Sequence, residues 1–193
     1  EVGIGIDLRD RGLEHIARSM GPAVLVCNHQ SYMDAIVLMS ALPKTVRFVA
    51  KNEFQNHPLM GPLLRRFDCL FVERVDAARA IQDSRLIADA IARGGSVLFF
   101  PEGTFTREPG LKPFHMGAFS LAAQAQTPVL ALALKGTREL LIPDSWRPKR
   151  TSVRVNAWPA LIPQGAGWEA ALELRRSARQ LILSECGEPE IPD

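Results

Sequence analysis

Cysteine is scarce in this chain of 193 residues, which contains only Cys27, Cys69 and Cys186. The three are far apart, odd in number and include no C-x-x-C pair, which argues against a disulfide framework and against a cysteine zinc site. The histidines other than His29 show no metal-ligand spacing. We therefore expect no metal, and a reducing, cytoplasmic setting fits the sequence best.

Excess charge and long apolar runs are also nearly absent. The 23 Lys and Arg residues exceed the 21 Asp and Glu residues by only two, which does not suggest a general nucleic-acid binder. The most apolar stretches, residues 97–100 and 129–134, are strand-sized and far shorter than the ~18 residues of a spanning helix. The chain starts at Glu1 without an initiator Met, and its first residues do not resemble a signal peptide. We expect a single domain over residues 1–193, as if excised from a longer protein, with a frayed Pro-rich tail at 187–193.

Short apolar strands alternate with helical segments along the chain, which predicts an α/β layered domain. We expect about seven strands in one mostly parallel sheet flanked by helices. The predicted strands cover residues 2–8, 23–27, 46–50, 69–73, 96–100, 128–134 and 152–158. The predicted helices cover residues 13–19, 32–41, 77–92, 117–125 and 168–185, while 57–66 fits either a short helix or a loop and 138–150 fits turns.

The first candidate site is the stretch Asn-His-Gln-Ser-Tyr-Met-Asp at residues 28–34. It follows a predicted buried strand and opens a helix, where ligand crevices of α/β sheets lie. His29 can act as a general base, and Asp34 can return across the turn to orient its ring. Alternatively, Ser31 and Asp34 form a capping box and His29 is an ordinary loop histidine.

Two further strand ends carry polar residues. Glu102, Gly103 and Thr104 follow the strand at 96–100, and a tight glycine turn there can cradle an anion or present a carboxylate. Arg74 follows the strand at 69–73, and its guanidinium suits bidentate phosphate recognition. Taken alone, the first segment is better explained as an ordinary strand-end turn, and the alternative for Arg74 is a solvated salt bridge with Glu73 or Asp76.

Together these segments resemble the glycerophosphate acyltransferase family, which includes bacterial lysophosphatidate acyltransferases. Residues 28–34 look like its N-H-x4-D block and residues 100–104 match its F-P-E-G-T block. Residues 71–74 and 127–129 resemble its second and fourth blocks more loosely. The resemblance runs from about Gly12 to Trp158.

Two departures from the family pattern affect the acceptor side of the site. Phe105 and Thr106 follow the third block where the family often has Arg-Ser, and Arg107 can supply the charge from further on. His115 and Met116 precede Gly-Ala-Phe where the family often has two lysines, which leaves Lys112 as the nearby cation. The amino-terminal membrane-docking helices of some members are also missing.

The resemblance implies a 1-acylglycerol-3-phosphate O-acyltransferase of phospholipid synthesis. The donor would be acyl-CoA or acyl carrier protein, a co-substrate, with no cofactor and no metal. His29 and Asp34 would be catalytic, and the acceptor would be bound by Arg74, Glu102, Gly103, Thr104, Arg107 and Lys112. Cys27 and Cys69 would carry no acyl group. The alternatives are a zwitterionic acceptor such as lysophosphatidylethanolamine, and a non-catalytic lipid-binding module of the same fold.

The implied lipid acceptor predicts contact with a membrane surface. Residues 58–67 place apolar side chains beside Arg65 and Arg66, and residues 146–150 combine a tryptophan with three cations. We expect a peripheral protein on the cytoplasmic face of the inner membrane, with no nucleic-acid partner. A core position for Leu63 and Leu64 and a solvated loop at 146–150 are the competing interpretations.

Overall fold

The alternating apolar runs form the strands of one continuous sheet, as a computed structural model of the chain shows. The structure describes residues 6–12, 21–58, 60–72, 77–141 and 149–192. The strands are β1 (Ile6–Arg11), β2 (Val24–Cys27), β3 (Val46–Lys51), β4 (Leu70–Val72), β5 (Ser96–Phe99), β6 (Val129–Lys135) and β7 (Thr151–Ala157). The helices are α1 (Met33–Ala41), α2 (Met60–Arg66), α3 (Ala77–Ala92), α4 (Gly117–Gln124), α5 (Thr137–Leu140) and α6 (Trp168–Cys186), with a 3-10 helix at Asn52–Asn56.

The sheet has the strand order β1-β7-β6-β2-β5-β3-β4. All neighbouring strands run parallel except β6 and β7, which are antiparallel. Strand β2 lies at the centre, where Leu25 pairs with Leu98 of β5 and with Leu130 of β6. Because β2 and β5 are parallel neighbours, the segments that follow them, at residues 28–32 and 100–105, leave the sheet at the same edge.

Both faces of the central strands are buried, which explains why these strands are continuously apolar rather than alternating. On one face, Val24, Val26 and Val97 pack with apolar residues of α3, α4 and α6. On the other face, Leu25 and Leu98 pack with residues of α1, α2 and α5. The two layers of helices fix the sheet, and with it the edge from which the polar segments at residues 28–34 and 100–104 emerge.

The predicted fold class is confirmed, and each of the seven predicted strands has a counterpart. Helix α3 has the bounds that its periodicity predicts. Residues 57–66 contain a helix, Met60–Arg66, rather than a loop. The helix predicted over 13–19 lies outside the described residues. Residues 2–5 of the first predicted strand lie outside the described residues. Strand β1 (Ile6–Arg11) continues past the predicted end at residue 8, because its register with β7 extends to the pair Arg11 and Asn156.

Three features differ from the predictions or were missed. The 3-10 helix at Asn52–Asn56 and the four-residue helix α5 are too short to show a helical period. The tail predicted to be frayed is held in place over residues 188–192. The amide of Leu111 donates to the Pro189 carbonyl (2.8 Å), and the amide of Ile191 donates to the Leu111 carbonyl (3.1 Å). That prediction is wrong because proline content carries no information about a distant loop that supplies these partners.

Candidate active site

Asn28 fixes the point at which the chain leaves the sheet. Its side-chain amide donates to the carbonyl of Leu134 and its side-chain oxygen accepts from the amide of Leu134, both at 2.8 Å. The asparagine is fully buried, and its two hydrogen bonds continue the pairing of β2 with β6 one residue beyond Cys27. This double hydrogen bond sets the position of the next residue, His29.

His29 and Asp34 form a hydrogen-bonded pair, with 2.7 Å between Nδ1 of the ring and Oδ2 of the carboxylate. Asp34 is fully buried at the start of α1. The same oxygen also accepts the backbone N–H groups of Gln30 (2.6 Å) and Ser31 (2.8 Å). One carboxylate oxygen therefore accepts the amide of Ser31, as in one half of a capping box, and orients the imidazole, while the catalytic role of His29 stays a prediction. With Nδ1 engaged by Asp34, Nε2 is the nitrogen left to act on a substrate.

Glu102 holds the same turn from the neighbouring strand. Its Oε1 accepts the backbone N–H of His29 (2.6 Å) and its Oε2 accepts that of Lys112 (2.9 Å). Burial raises the pKa of this carboxyl to about 7, although the hydrogen bonds from Lys112 and His29 act in the opposite direction. Glu102 thus lies where it positions His29, and its predicted contact with an acceptor stays a prediction.

Gly103 allows the tight turn after β5. Its φ of +78° lies in the left-handed region that favours glycine, and its amide donates to the carbonyl of Phe100 (3.0 Å). The turn brings Thr104, an exposed residue, beside His29 at the edge of the sheet. The F-P-E-G-T segment therefore supplies both a positioning carboxylate and a bend.

Aromatic rings contact the imidazole of His29 from two directions. Phe100 stacks on it with ring centroids 4.2 Å apart, and Phe105 meets it edge-on at 4.8 Å. Phe105 also contacts Tyr32, with centroids 4.7 Å apart. The sequence analysis did not assign Phe100 or Phe105 to the site, although both flank the E-G-T residues. These contacts restrict the ring to one orientation.

Two cavities adjoin at the edge of the sheet, and His29 lines the first of them. The first, about 300 Å³, is called the apolar cavity because apolar residues predominate among those that line it: His29, Tyr32, Ala35, Phe48, Val49, Ala50, Lys51, Glu53, Phe54, Leu64, Phe100, Gly103, Thr104 and Phe105. The second, about 490 Å³, is called the polar cavity because polar residues predominate among those that line it: Lys51, Asn52, Glu53, Asn56, Val72, Glu102, Gly103, Thr104, Lys112 and His115. Lys51, Glu53, Gly103 and Thr104 border both. The sequence analysis missed Lys51, whose position at the end of β3 was the available signal.

The structure brings most of the predicted site residues together around these cavities. Lys112 borders the polar cavity, and its Nζ lies 3.4 Å from the carbonyl of Thr104. Arg107 is exposed and is absent from the lining of both cavities. Arg74 lies outside the described residues. In the part of the chain that is described, no group of three or more His, Cys, Asp or Glu side chains is placed to hold a metal ion.

The cysteines are poorly suited to carry an acyl group. All three are buried. Burial raises the pKa of the Cys27 thiol well above its usual range and raises the pKa of Cys69 to about 12. Because the thiolate is the nucleophile, both side chains are held in the unreactive form.

An α/β domain with a histidine–carboxylate pair at the carboxyl edge of its sheet defines a class of group-transfer enzyme, and comparison with known proteins agrees. The profile of the family described as Acyltransferase matches residues 7–135, and the chain belongs to that family. The crystal structure of the 1-acyl-sn-glycerophosphate acyltransferase PlsC from Thermotoga maritima is similar, with a TM-score of 0.77 and 25% identity over 95% of this chain and 72% of that one.

Curated relatives carry the same kind of name. A chloroplastic 1-acyl-sn-glycerol-3-phosphate acyltransferase from Brassica napus is 33% identical over 131 residues, covering 68% of this chain and 38% of that protein. A 1-acyl-sn-glycerol-3-phosphate acyltransferase from Chlamydomonas reinhardtii is 33% identical over 176 residues, covering 90% of this chain and 51% of that protein. The chain therefore spans only about a third to a half of these relatives.

The raised pKa of Glu102 predicts a pH-dependent stability. The folded state holds the proton up to about pH 7 and the unfolded chain only up to 4.5, so the contribution of this residue is greatest below pH 4.5 and falls as the pH rises to 7. At 1.36 kcal/mol per pH unit, the loss is about 3 kcal/mol.

Urea unfolding of the wild type and of Glu102→Gln from pH 4.5 to 8 measures this loss. Titrations of all other groups cancel in the difference between the two free energies of unfolding. Between pH 4.5 and pH 7 we expect the wild type to lose about 3 kcal/mol of stability relative to the variant. Above pH 7 the difference between the two should stay constant. A difference independent of pH contradicts the assigned environment of Glu102.

Proposed function

We propose that this domain transfers a fatty acyl group from a thioester to the hydroxyl of a lysophospholipid, with 1-acylglycerol-3-phosphate as the preferred acceptor. The observation that carries the proposal is that His29, paired with Asp34, lines the apolar cavity, which shares four lining residues with the polar cavity. A reaction that joins an alkyl chain to a polar alcohol needs both environments beside one base. The names of the relatives in Brassica napus and Chlamydomonas reinhardtii support this choice of acceptor.

The chemistry follows from the geometry of the pair. Nε2 of His29 accepts the proton of the acceptor hydroxyl while the hydroxyl oxygen attacks the thioester carbonyl, and Asp34 stabilises the imidazolium at Nδ1. The tetrahedral intermediate then expels the thiolate. The imidazolium gives its proton to this thiolate, which leaves as the free thiol. The oxygen–acyl bond forms as the sulfur–acyl bond breaks, so no protein nucleophile and no redox or metal cofactor is needed.

The two cavities suggest how the substrates divide between them. The apolar cavity suits the acyl chain, since its wall is largely aromatic and aliphatic. The polar cavity suits the acceptor headgroup, with Lys51 and Lys112 as cations for its phosphate and Thr104 between the two spaces. Arg74 remains a predicted third cation for that phosphate. Acyl-CoA or acyl carrier protein would supply the thioester.

The mechanism predicts a large loss of turnover without the base. His29→Ala should lower kcat by roughly 10²–10⁴-fold with the fold retained, and Asp34→Asn should also be severe because an amide can support the wrong tautomer. The purified domain is incubated with acyl-CoA and, in separate reactions, with lysophosphatidic acid and lysophosphatidylethanolamine, and products are identified by mass.

The acceptor panel separates the alternatives. Preference for the zwitterionic acceptor would replace the favoured substrate class, and a complete lack of product with bound lipid would identify a non-catalytic module. Cys27→Ala should keep most activity as the matched control, since the thiol is buried and protonated. Normal turnover by folded His29→Ala protein would contradict the mechanism.

The polar cavity predicts a selective effect on the acceptor. Lys112→Ala and Arg74→Ala should each raise the acceptor KM by about tenfold and leave the donor KM nearly unchanged, because each change removes a charge-assisted hydrogen bond to phosphate. Lys44→Ala, an exposed lysine absent from the lining of both cavities, is the control. An increase confined to the donor KM would assign the cavity to the thioester carrier.

A lipid acceptor requires access from a membrane surface. None of the described helices is long and apolar enough to cross a bilayer. Leu64 is buried in the core, so the core interpretation holds for it. Phe67 is 39% exposed beside the exposed Arg65 and Arg66, and Tyr32 is 57% exposed at the apolar cavity. Of the second predicted patch, residues 146–148 lie outside the described residues.

We infer that Phe67 and its two arginines form a weak contact with anionic lipid at the cytoplasmic face of a membrane. Each cation near such a surface contributes only about 1 kcal/mol, so binding should weaken with salt. Co-sedimentation with vesicles, with and without anionic lipid at low and high salt, measures it. Phe67→Ser should lower the bound fraction. Leu86→Ser should not lower it, because Leu86 is an exposed apolar residue of α3, on the opposite face of the sheet. Equal recovery in all four supernatants would exclude this surface.

A further inference from the structure

The end of the chain crosses the loop that joins Thr104 to Lys112. We call residues 187–191 the C-terminal strap. Leu111 receives an amide hydrogen bond from Ile191 and gives one to the carbonyl of Pro189, so the strap and the loop pair as two short strands would. The loop is the segment that separates two residues of the polar cavity.

A buried ion pair reinforces this pairing. Nε of Arg138 lies 2.7 Å from Oε1 of Glu188, and the two side chains are only 12% and 7% exposed. The other oxygen of Glu188 accepts the amide of Gly110. Nη1 of Arg138 donates to the carbonyls of Thr106 (2.6 Å) and Arg107 (3.0 Å). The pair therefore holds the loop on both sides of its midpoint.

The backbone of the loop is built for this close approach. Gly110 has a φ of +152°, and a Cβ there would lie 2.5 Å from Cδ1 of Ile191. Only glycine allows the strap to lie so near.

The root of the strap also touches the catalytic turn. The carbonyl of Cys186, the last residue of α6, accepts a hydrogen bond from Nε2 of Gln30 (2.9 Å). The other end of the Gln30 amide accepts from the hydroxyl of Thr137 (3.4 Å), the residue before Arg138. The strap, the arginine and the residue after His29 thus form one connected set of contacts.

We propose that Glu188 and Arg138 are positioning residues that set the spacing between Thr104 and Lys112 across the polar cavity, and so determine acceptor binding. The proposal rests on the proposed function of that cavity. Neither residue belongs to the lining of the cavity. A buried ion pair adds little net stability because desolvation offsets its attraction. Its four hydrogen-bonding contacts instead fix the geometry of a loop that has no regular secondary structure.

Steady-state kinetics of the full chain test this role. Glu188→Gln keeps the shape of the side chain but removes the charge that holds Arg138. We expect the acceptor KM to rise about tenfold, with the donor KM close to the wild-type value, since small displacements of binding groups cost up to ~10²-fold. Glu108→Gln is the matched control, because it removes one negative charge from an exposed side chain of the same loop. The control should behave as the wild type.

Hydrogen exchange provides a readout that is independent of activity. The amides of Gly110 and Leu111 should be protected in the wild type and in Glu108→Gln, and should exchange faster in Glu188→Gln. If Glu188→Gln does not fold, Arg138→Lys is measured in its place, since lysine keeps the ion pair but loses the fork that binds two carbonyls.

The outcomes separate the two proposals. A folded variant with the wild-type acceptor KM, or with equal increases in both KM values, overturns the positioning role. Unchanged exchange at Gly110 and Leu111 also overturns it. A wild-type chain that acylates no lysolipid overturns the proposed function instead, whatever the exchange data show.

Discussion

Two buried carboxyl groups, those of Asp34 and Glu102, hold the turn that carries His29, and the site depends on them. Asp34 is hydrogen-bonded to the imidazole of His29 and to two backbone amides. Glu102, on the segment after the adjacent strand, accepts a hydrogen bond from the backbone amide of His29. Buried carboxyl groups are costly unless they are hydrogen-bonded, and these contacts satisfy Oδ2 of Asp34 and both oxygens of Glu102. Oδ1 of Asp34 is buried without a hydrogen-bond partner, a local loss of stability of the kind that functional sites tolerate.

The order of the strands decides which residues can meet at this turn. Asn28 reaches β6 across 106 residues of sequence, and His29 reaches Glu102 across 73. Both contacts exist because β2 lies between β5 and β6 in a parallel arrangement. The same arrangement places β3 beside β5, so that Lys51 arrives at the edge where the two cavities meet. One strand order therefore brings His29, Glu102 and Lys51 to the same edge of the sheet.

The sequence predicts well what is local. The buried strands are continuous apolar runs, helix α3 shows its period over sixteen residues, and the pair His29 and Asp34 is only five residues apart. It predicts poorly what depends on distant partners. Glu102 looks like a ligand-binding carboxylate until its two backbone donors, His29 and Lys112, are known. The proline-rich tail looks frayed until the loop at Gly110 is placed beside it.

Phe105 shows how a departure from the family pattern reshapes the site. The ring packs against His29 and Tyr32 on the apolar side, so it adds no charge to the polar cavity. Among the described lining residues, the charges of that cavity are then two lysines, Lys51 and Lys112, against the carboxylates of Glu53 and Glu102. Lys51 is already paired with Glu53, at 3.3 Å.

The protonation of Glu102 consequently decides whether the summed charge of these groups is zero or positive. With its pKa raised to about 7, this carboxyl is neutral below that pH, and the four charged groups then sum to one positive charge rather than zero. A phosphate entering the cavity favours the neutral form further, because a second negative charge nearby raises the pKa of a carboxyl. In the proposed reaction, the protonation of Glu102 is thereby coupled to binding of the acceptor headgroup. The negative charge of the acceptor favours protonation of Glu102, and this protonation makes the cavity more positive.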